Sequence, residues 1–109
     1  MKKFVFLSKV SKICKDAFYS CSCLTKIEFS QNSHLQTIES HAFSGTSIEG
    51  IVIPSKASKI CGNAFSDCFS LQIVEISEES ELETFPLSAF DDYEYTIFMI
   101  PSNKIYLIK

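Results

Sequence analysis

Apolar residues recur along this chain at fixed offsets from a repeated Ala-Phe dipeptide. The four copies are Ala17-Phe18, Ala42-Phe43, Ala64-Phe65 and Ala89-Phe90, spaced 25, 22 and 25 residues apart. Four residues before each Ala stand Ile13, Ile38, Ile60 and Phe85, and three before those Val10, Leu35, Ala57 and Leu82. Three after each Phe come Cys21, Thr46, Cys68 and Tyr93. An L-x-x-I-x-I triplet follows: Leu24-Ile27-Phe29, Ile48-Ile51-Ile53, Leu71-Val74-Ile76 and Tyr95-Phe98-Ile100. The length differences fall after the triplet and just before it, as loop insertions do. Self-similarity at this period is the signature of a stacked repeat array.

The last two triplet residues are two apart, which is strand alternation. Ile, Val and Phe dominate there, and they suit a pleated, half-buried surface. Stacked repeats predict a parallel sheet with strands about 4.8 Å apart, and the rest of each repeat supplies the crossover. Val10, Ile13, Ala17, Phe18 and Cys21 also match a helical face. Several features disfavour a helix: Ser, Lys and β-branched residues fill the segments, Gly62 and Pro86 interrupt two copies, and a 22-residue period leaves little room for three helical turns. The pattern instead predicts short extended pieces around Ile13, Ile38, Ile60 and Phe85. A compact turn or 3-10 element then follows at each Ala-Phe. Ala allows a neighbouring coil to approach closely, and the four phenylalanines form a spine between coils. One repeat cannot bury its apolar side alone, whereas four stacked copies can.

The reading is one domain over residues 1–109, with about four repeats, beginning and ending in mid-repeat. Phe4 and Phe6 match the last two triplet positions of a preceding copy. Pro101-Ser102 echoes Pro54-Ser55, and Ile105 and Ile108 continue the three-residue step.

The triplet with a 22–25-residue period resembles the leucine-rich repeat. The longer pattern I-x-x-x-A-F-x-x-C-x-x-L-x-x-I-x-I-P resembles the BspA-like (Treponema-type) variant. Its closest copies run from Cys14 to Cys21 and from Cys61 to Cys68. The resemblance covers essentially the whole chain. It implies a β-rich leucine-rich repeat solenoid, with parallel strands on one face and short extended or 3-10 segments and turns on the other. It also implies a non-enzymatic protein-interaction module of the surface adhesin or antigen kind. The alternative is a structural or truncated piece of a longer array, with no ligand of its own.

Composition narrows the chemistry. Hydrophobic residues make up 46% and charged residues 21%, which fits a folded chain, and the net charge of −3 excludes a globally basic nucleic-acid footprint. All ten basic residues are Lys, so no Arg is present to clamp phosphate bidentately. The apolar run Phe4 to Leu7 is too short for a secretory signal, and no stretch is long enough to span a membrane. Localisation stays open, although the resemblance points to a cell surface.

Five cysteines cannot close into a disulfide framework. Cys14 and Cys61 share one column and Cys21 and Cys68 another, two coils apart, beyond disulfide reach at about 10 Å. Buried, reduced thiols are a better reading than zinc, because Cys21-x-Cys23 lacks the usual ligand spacing. Cys23 has no counterpart in other repeats and is expected to be the exposed thiol. His34 and His41 lie near no nucleophile with an orienting third group, and Asp91-Asp92 and Glu78-Glu79 read as solvated turns. No cofactor, metal or catalytic residue is expected, nor a nucleic-acid partner or membrane insertion.

Two positions per strand face away from the core. One column reads Lys3, Lys26, Gly50, Ile73, Ile97 and the other Val5, Glu28, Val52, Glu75, Met99. Lys26, Val52, Ile73, Ile97 and Met99 are therefore the candidate partner-binding residues, although β-propensity alone would also place Ile and Val there. Residues 1–26 carry six Lys against Asp16 alone, and residues 60–103 carry only acids. Opposite charge at the two ends allows head-to-tail self-association, with solubility as the simpler reading.

Overall fold

The computed structural model describes residues 2–83, 87–90 and 96–104. The strands of the triplet positions are β1 (Lys2–Phe6), β3 (Leu24–Phe29), β5 (Gly50–Ile53), β7 (Ile73–Ile76) and β8 (Ile97–Met99). The short extended pieces are β2 (Lys12–Ile13), β4 (Thr37–Ile38) and β6 (Lys59–Ile60), and a 3-10 turn, η1, covers Leu87–Ala89. All pairing is parallel, and no α-helix occurs among the described residues. The extended pieces at Ile13, Ile38 and Ile60 stand where the repeat columns place them. The one expected at Phe85 lies outside the described residues, as do Tyr93, Tyr95, Ile105 and Ile108.

The register follows the repeat alignment. Phe4 pairs with Ile27 and Phe6 with Phe29, while Ile51 pairs with Val74 and Val74 with Phe98. On another side of the coil, β2, β4 and β6 form their own sheet, with Ile13, Ile38 and Ile60 in one row. A third axial ladder runs at the Ala-Phe corner. The N–H groups of Asp16, Phe18 and Ser20 donate to the carbonyls of Ser40, Ala42 and Ser44 at 2.7–3.1 Å. Phe43 and Gly45 donate in turn to Ala64 and Ser66, and Asn63 and Phe65 to Ser88 and Ala89. This corner needs left-handed residues on both sides of Ala-Phe. Asp16, His41 and Asn63 precede the Ala with φ near 60°, and Ser20, Gly45 and Asp67 follow with φ of 57–76°. Gly, Asn and Asp bear that conformation at lower cost than other residues.

Ala42, Ala64 and Ala89 are fully buried, so the close coil-to-coil approach is real. The rings of Phe18, Phe43, Phe65 and Phe90 stack at centroid distances of 5.3, 5.5 and 5.1 Å, within 14° of parallel. The core runs beside this spine and includes Leu35, Ile38, Ile48, Ile53 and Val74. The first coil departs from the pattern. Ala17 is exposed and Phe18 only half-buried, because among the described residues no coil covers their outer side. Among the described residues β1 pairs only with β3.

A second departure concerns the strand face. Simple stacking predicts one continuous sheet, yet β1 and β3 form one sheet and β5, β7 and β8 another. Ser47 N–H reaches the Leu24 carbonyl at 2.9 Å, but Glu49 N–H is already 3.4 Å from the Thr25 carbonyl, and ladder pairing does not continue beyond it.

Candidate functional site

The strand face carries the two outward columns that alternation requires. Pairing sets Lys3 beside Lys26, Gly50 beside Ile73 and Ile73 beside Ile97. It sets Val5 beside Glu28, Val52 beside Glu75 and Glu75 beside Met99. Of the candidate residues, Lys26 is exposed, Val52 is 57% exposed, Ile97 64% and Met99 49%. These four project outward as alternation demands. Ile73 is only half-buried. A Cβ on Gly50 would lie 2.9 Å from Ile73 Cγ2, so Ile73 leans over the space that the glycine leaves.

The L-x-x-I spacing also exposes a third row, which the two-column reading leaves out. Glu49 and Gln72 are exposed in it, and Thr25 and Thr96 half-buried. Thr25 Oγ1 donates to the Lys2 carbonyl at 3.3 Å and Thr96 Oγ1 to the Leu71 carbonyl at 3.0 Å. Phe69, in the turn before β7, is 82% exposed. Its only sequence signal is that it is aromatic where the other repeats have Ser22, Ser47 and Glu94.

Charge divides the face. Glu28 accepts from Lys3 Nζ at 3.1 Å and pairs with Lys26 Nζ at 3.5 Å. The hydrogen bond from Lys3, helped by both ammonium charges, outweighs desolvation and holds the Glu28 carboxyl below the ordinary glutamate range. Glu75 occupies the same column two coils on, but has Ile73 and Ile97 in the flanking column where Glu28 has lysines. Among the described residues Glu75 makes no ion pair.

Two clefts mark the line where the sheets part. One, of about 670 Å³, opens on the strand face between Lys26, Glu28, Gly50, Val52, Ile73 and Glu75. The other, of about 500 Å³, lies at the strand ends above Pro54. Loop length shapes it: Phe29 to Leu35 and Ile76 to Leu82 each span six residues, but Ile53 to Ala57 only four. The longer loops stand as walls beside a short floor. Ser30 and Ser77, whose buried hydroxyls have no hydrogen-bond partner among the described residues, line it.

The cysteine expectation needs correction. Cys68 alone is buried, its thiol donating to the Phe43 carbonyl at 3.2 Å. Cys61 is half-buried, and Cys14 and Cys21 are exposed together with Cys23, because the first coil has an open outer side. His34 is exposed with Nδ1 2.9 Å from the Ser8 carbonyl. His41 is half-buried at the left-handed corner, against the ring of Tyr19. Among the described residues no three His, Cys, Asp or Glu side chains gather as a metal site needs, and no helix is long and apolar enough to cross a membrane.

Comparison with known proteins places this geometry. The family model for the BspA type leucine-rich repeat region matches residues 1–108, in six copies. Among solved structures, a leucine-rich cell surface protein from Faecalibacterium prausnitzii A2-165 superposes with a TM-score of 0.67 at 28% identity. That match covers 79% of this chain and 21% of the other. The pneumococcal vaccine antigen PcpA superposes with a TM-score of 0.73 at 25% identity, over 96% of this chain and 28% of the antigen. The chain thus spans less than a third of either protein. No curated protein matches it.

Proposed function

The chain belongs to the BspA-type leucine-rich repeat family, and we propose that it is a non-enzymatic module that binds a protein partner through its strand face. The proposed setting is a cell surface, since one structural relative is a cell surface protein and another a vaccine antigen, and adhesion there follows from the family resemblance. The observation that carries the reading is the exposure of Val52, Ile97 and Met99 together on paired strands, with Ile73 between them. None of the three exposed side chains is needed to fill the core, and contiguous apolar surface of this kind marks partner sites.

The test uses a random peptide display library selected against the whole chain. Binders are then measured on Ile97→Lys and Met99→Lys variants, which alter the two exposed side chains of β8 and leave Gly50 and Ile73 alone. The reading requires at least a tenfold loss of binding, with stability within about 0.5 kcal/mol of the parent, as for ordinary surface changes. Binders indifferent to both substitutions would favour a structural piece of a longer array, without a ligand of its own.

A further inference from the structure

Repetition supplies an internal control for one side chain on the strand face. Glu28 and Glu75 stand in the same outward column, two coils apart. At Glu28 the flanking column provides Lys3 and Lys26, whose Nζ atoms sit 3.1 and 3.5 Å from the carboxylate. At Glu75 the flanking column provides Ile73 and Ile97, and the row neighbours are Val52 and Met99. No Lys occurs between residues 60 and 103 to reach it. This part of the fold therefore sets one carboxylate among four apolar side chains, with no ion pair among the described residues. Glu49, also exposed and without an ion pair among the described residues, adds negative charge on the same side of the cleft.

We infer that Glu75 is the anchor for a basic side chain of the protein partner, a Lys or Arg flanked by apolar residues. The inference rests on the strand-face reading above and names the chemistry of its partner. When such a segment docks, its apolar residues cover Val52, Ile97 and Met99. Its ammonium or guanidinium then meets Glu75 with water largely displaced, where a charge pair counts for more than on an open surface. An acidic segment would meet Glu75 and Glu49 as like charges, so the same two residues reject it.

The experiment extends the peptide selection. Enriched peptides should carry a Lys or Arg between apolar residues. Synthetic copies should bind Glu75→Gln at least fivefold more weakly than the parent and should not bind Glu75→Lys. Their affinity should fall as salt is raised, and Glu81→Gln, in the loop after β7, should leave it unchanged. Enriched peptides without a basic residue, or full affinity for Glu75→Gln, would overturn the inference. If Ile97→Lys and Met99→Lys still abolished binding in that case, the strand-face reading would stand without it. If no face variant mattered, both would fall. Sedimentation equilibrium covers the remaining occupant: a dimer lost in both Glu75→Gln and Lys26→Gln would assign the cation to a second copy of this chain, and the partner reading would be wrong.

Discussion

The rings of Phe43 and Phe65 lie 5.5 Å apart and 13° from parallel, each at most 1% exposed. Each ring fills the layer between two coils. Phe43→Ala or Phe65→Ala should cost about 3–5 kcal/mol, the usual range for a buried phenylalanine. Phe18→Ala should cost less, because that ring is half-buried at an open end. Equilibrium denaturation of the three variants checks the order. A Phe43→Ala protein as stable as the parent would mean that the spine carries no load.

Beside the spine, Ser44 Oγ and Ser66 Oγ are 2.8 Å apart and buried, and Ser66 Oγ also donates to the Asn63 carbonyl at 3.2 Å. Ser44 is then the donor to Ser66. Removing the acceptor with Ser66→Ala should cost about 1–3 kcal/mol, because the Ser44 hydroxyl is left buried without its partner. Adding Ser44→Ala should cost nothing further or restore stability. A double-mutant cycle in urea reads the coupling directly, and simple additivity of the two changes would disprove the bond's role.

Gly50 makes a more local prediction. In a strand, glycine is ordinarily a weakness, so Gly→Ala would be expected to stabilise. Here the added Cβ would lie 2.9 Å from Ile73 Cγ2, and the branched side chain must rotate or the strands must separate. Gly50→Ala should therefore destabilise by about 1–3 kcal/mol. In an Ile73→Ala background the same substitution should be neutral or stabilising. Thermal melts of the four proteins decide it, and equal effects in both backgrounds would exclude the contact.

Glu28 sets a pH dependence. Its carboxyl is held below the ordinary glutamate range chiefly by the hydrogen bond from Lys3. A depressed folded-state pKa contributes stability above the unfolded pKa, and that stability is lost as pH falls through the folded value. The parent should therefore lose stability relative to Glu28→Gln as pH drops below the ordinary glutamate range. The difference should be small and should shrink with added salt, since the pair is solvent-exposed. Parallel curves of melting temperature against pH for the two proteins would rule this contribution out.

Much of this architecture was legible in the chain because stacking makes sequence columns into spatial rows. The period-two alternation of Ile51, Val52 and Ile53 forces their side chains to opposite faces, and the recurrence of Ala-Phe forces the phenylalanines into one stack. Those are local geometry and repetition, and both are written in the sequence. The candidate face followed from the same alternation, which is why Val52, Ile97 and Met99 were found. Glu49 was missed, because the L-x-x-I half of the triplet does not alternate and its outward residue has no simple signature.

Repeat columns state which residues are one coil apart, but not how far apart the coils settle or how each side chain turns. The parting of β3 from β5, the lean of Ile73 over Gly50 and the exposure of Phe69 therefore came only from tertiary structure. Burial likewise depends on having a coil on both sides, so Cys21 is exposed where Cys68, in the same column, is buried. The sequence by itself determined the order of rows and the side of the strand each residue faces, because both follow from chain geometry. The spacing of the strands, the clefts between them and the true exposure of the end coils were decided by packing, which depends on the shapes of neighbours that no single repeat contains.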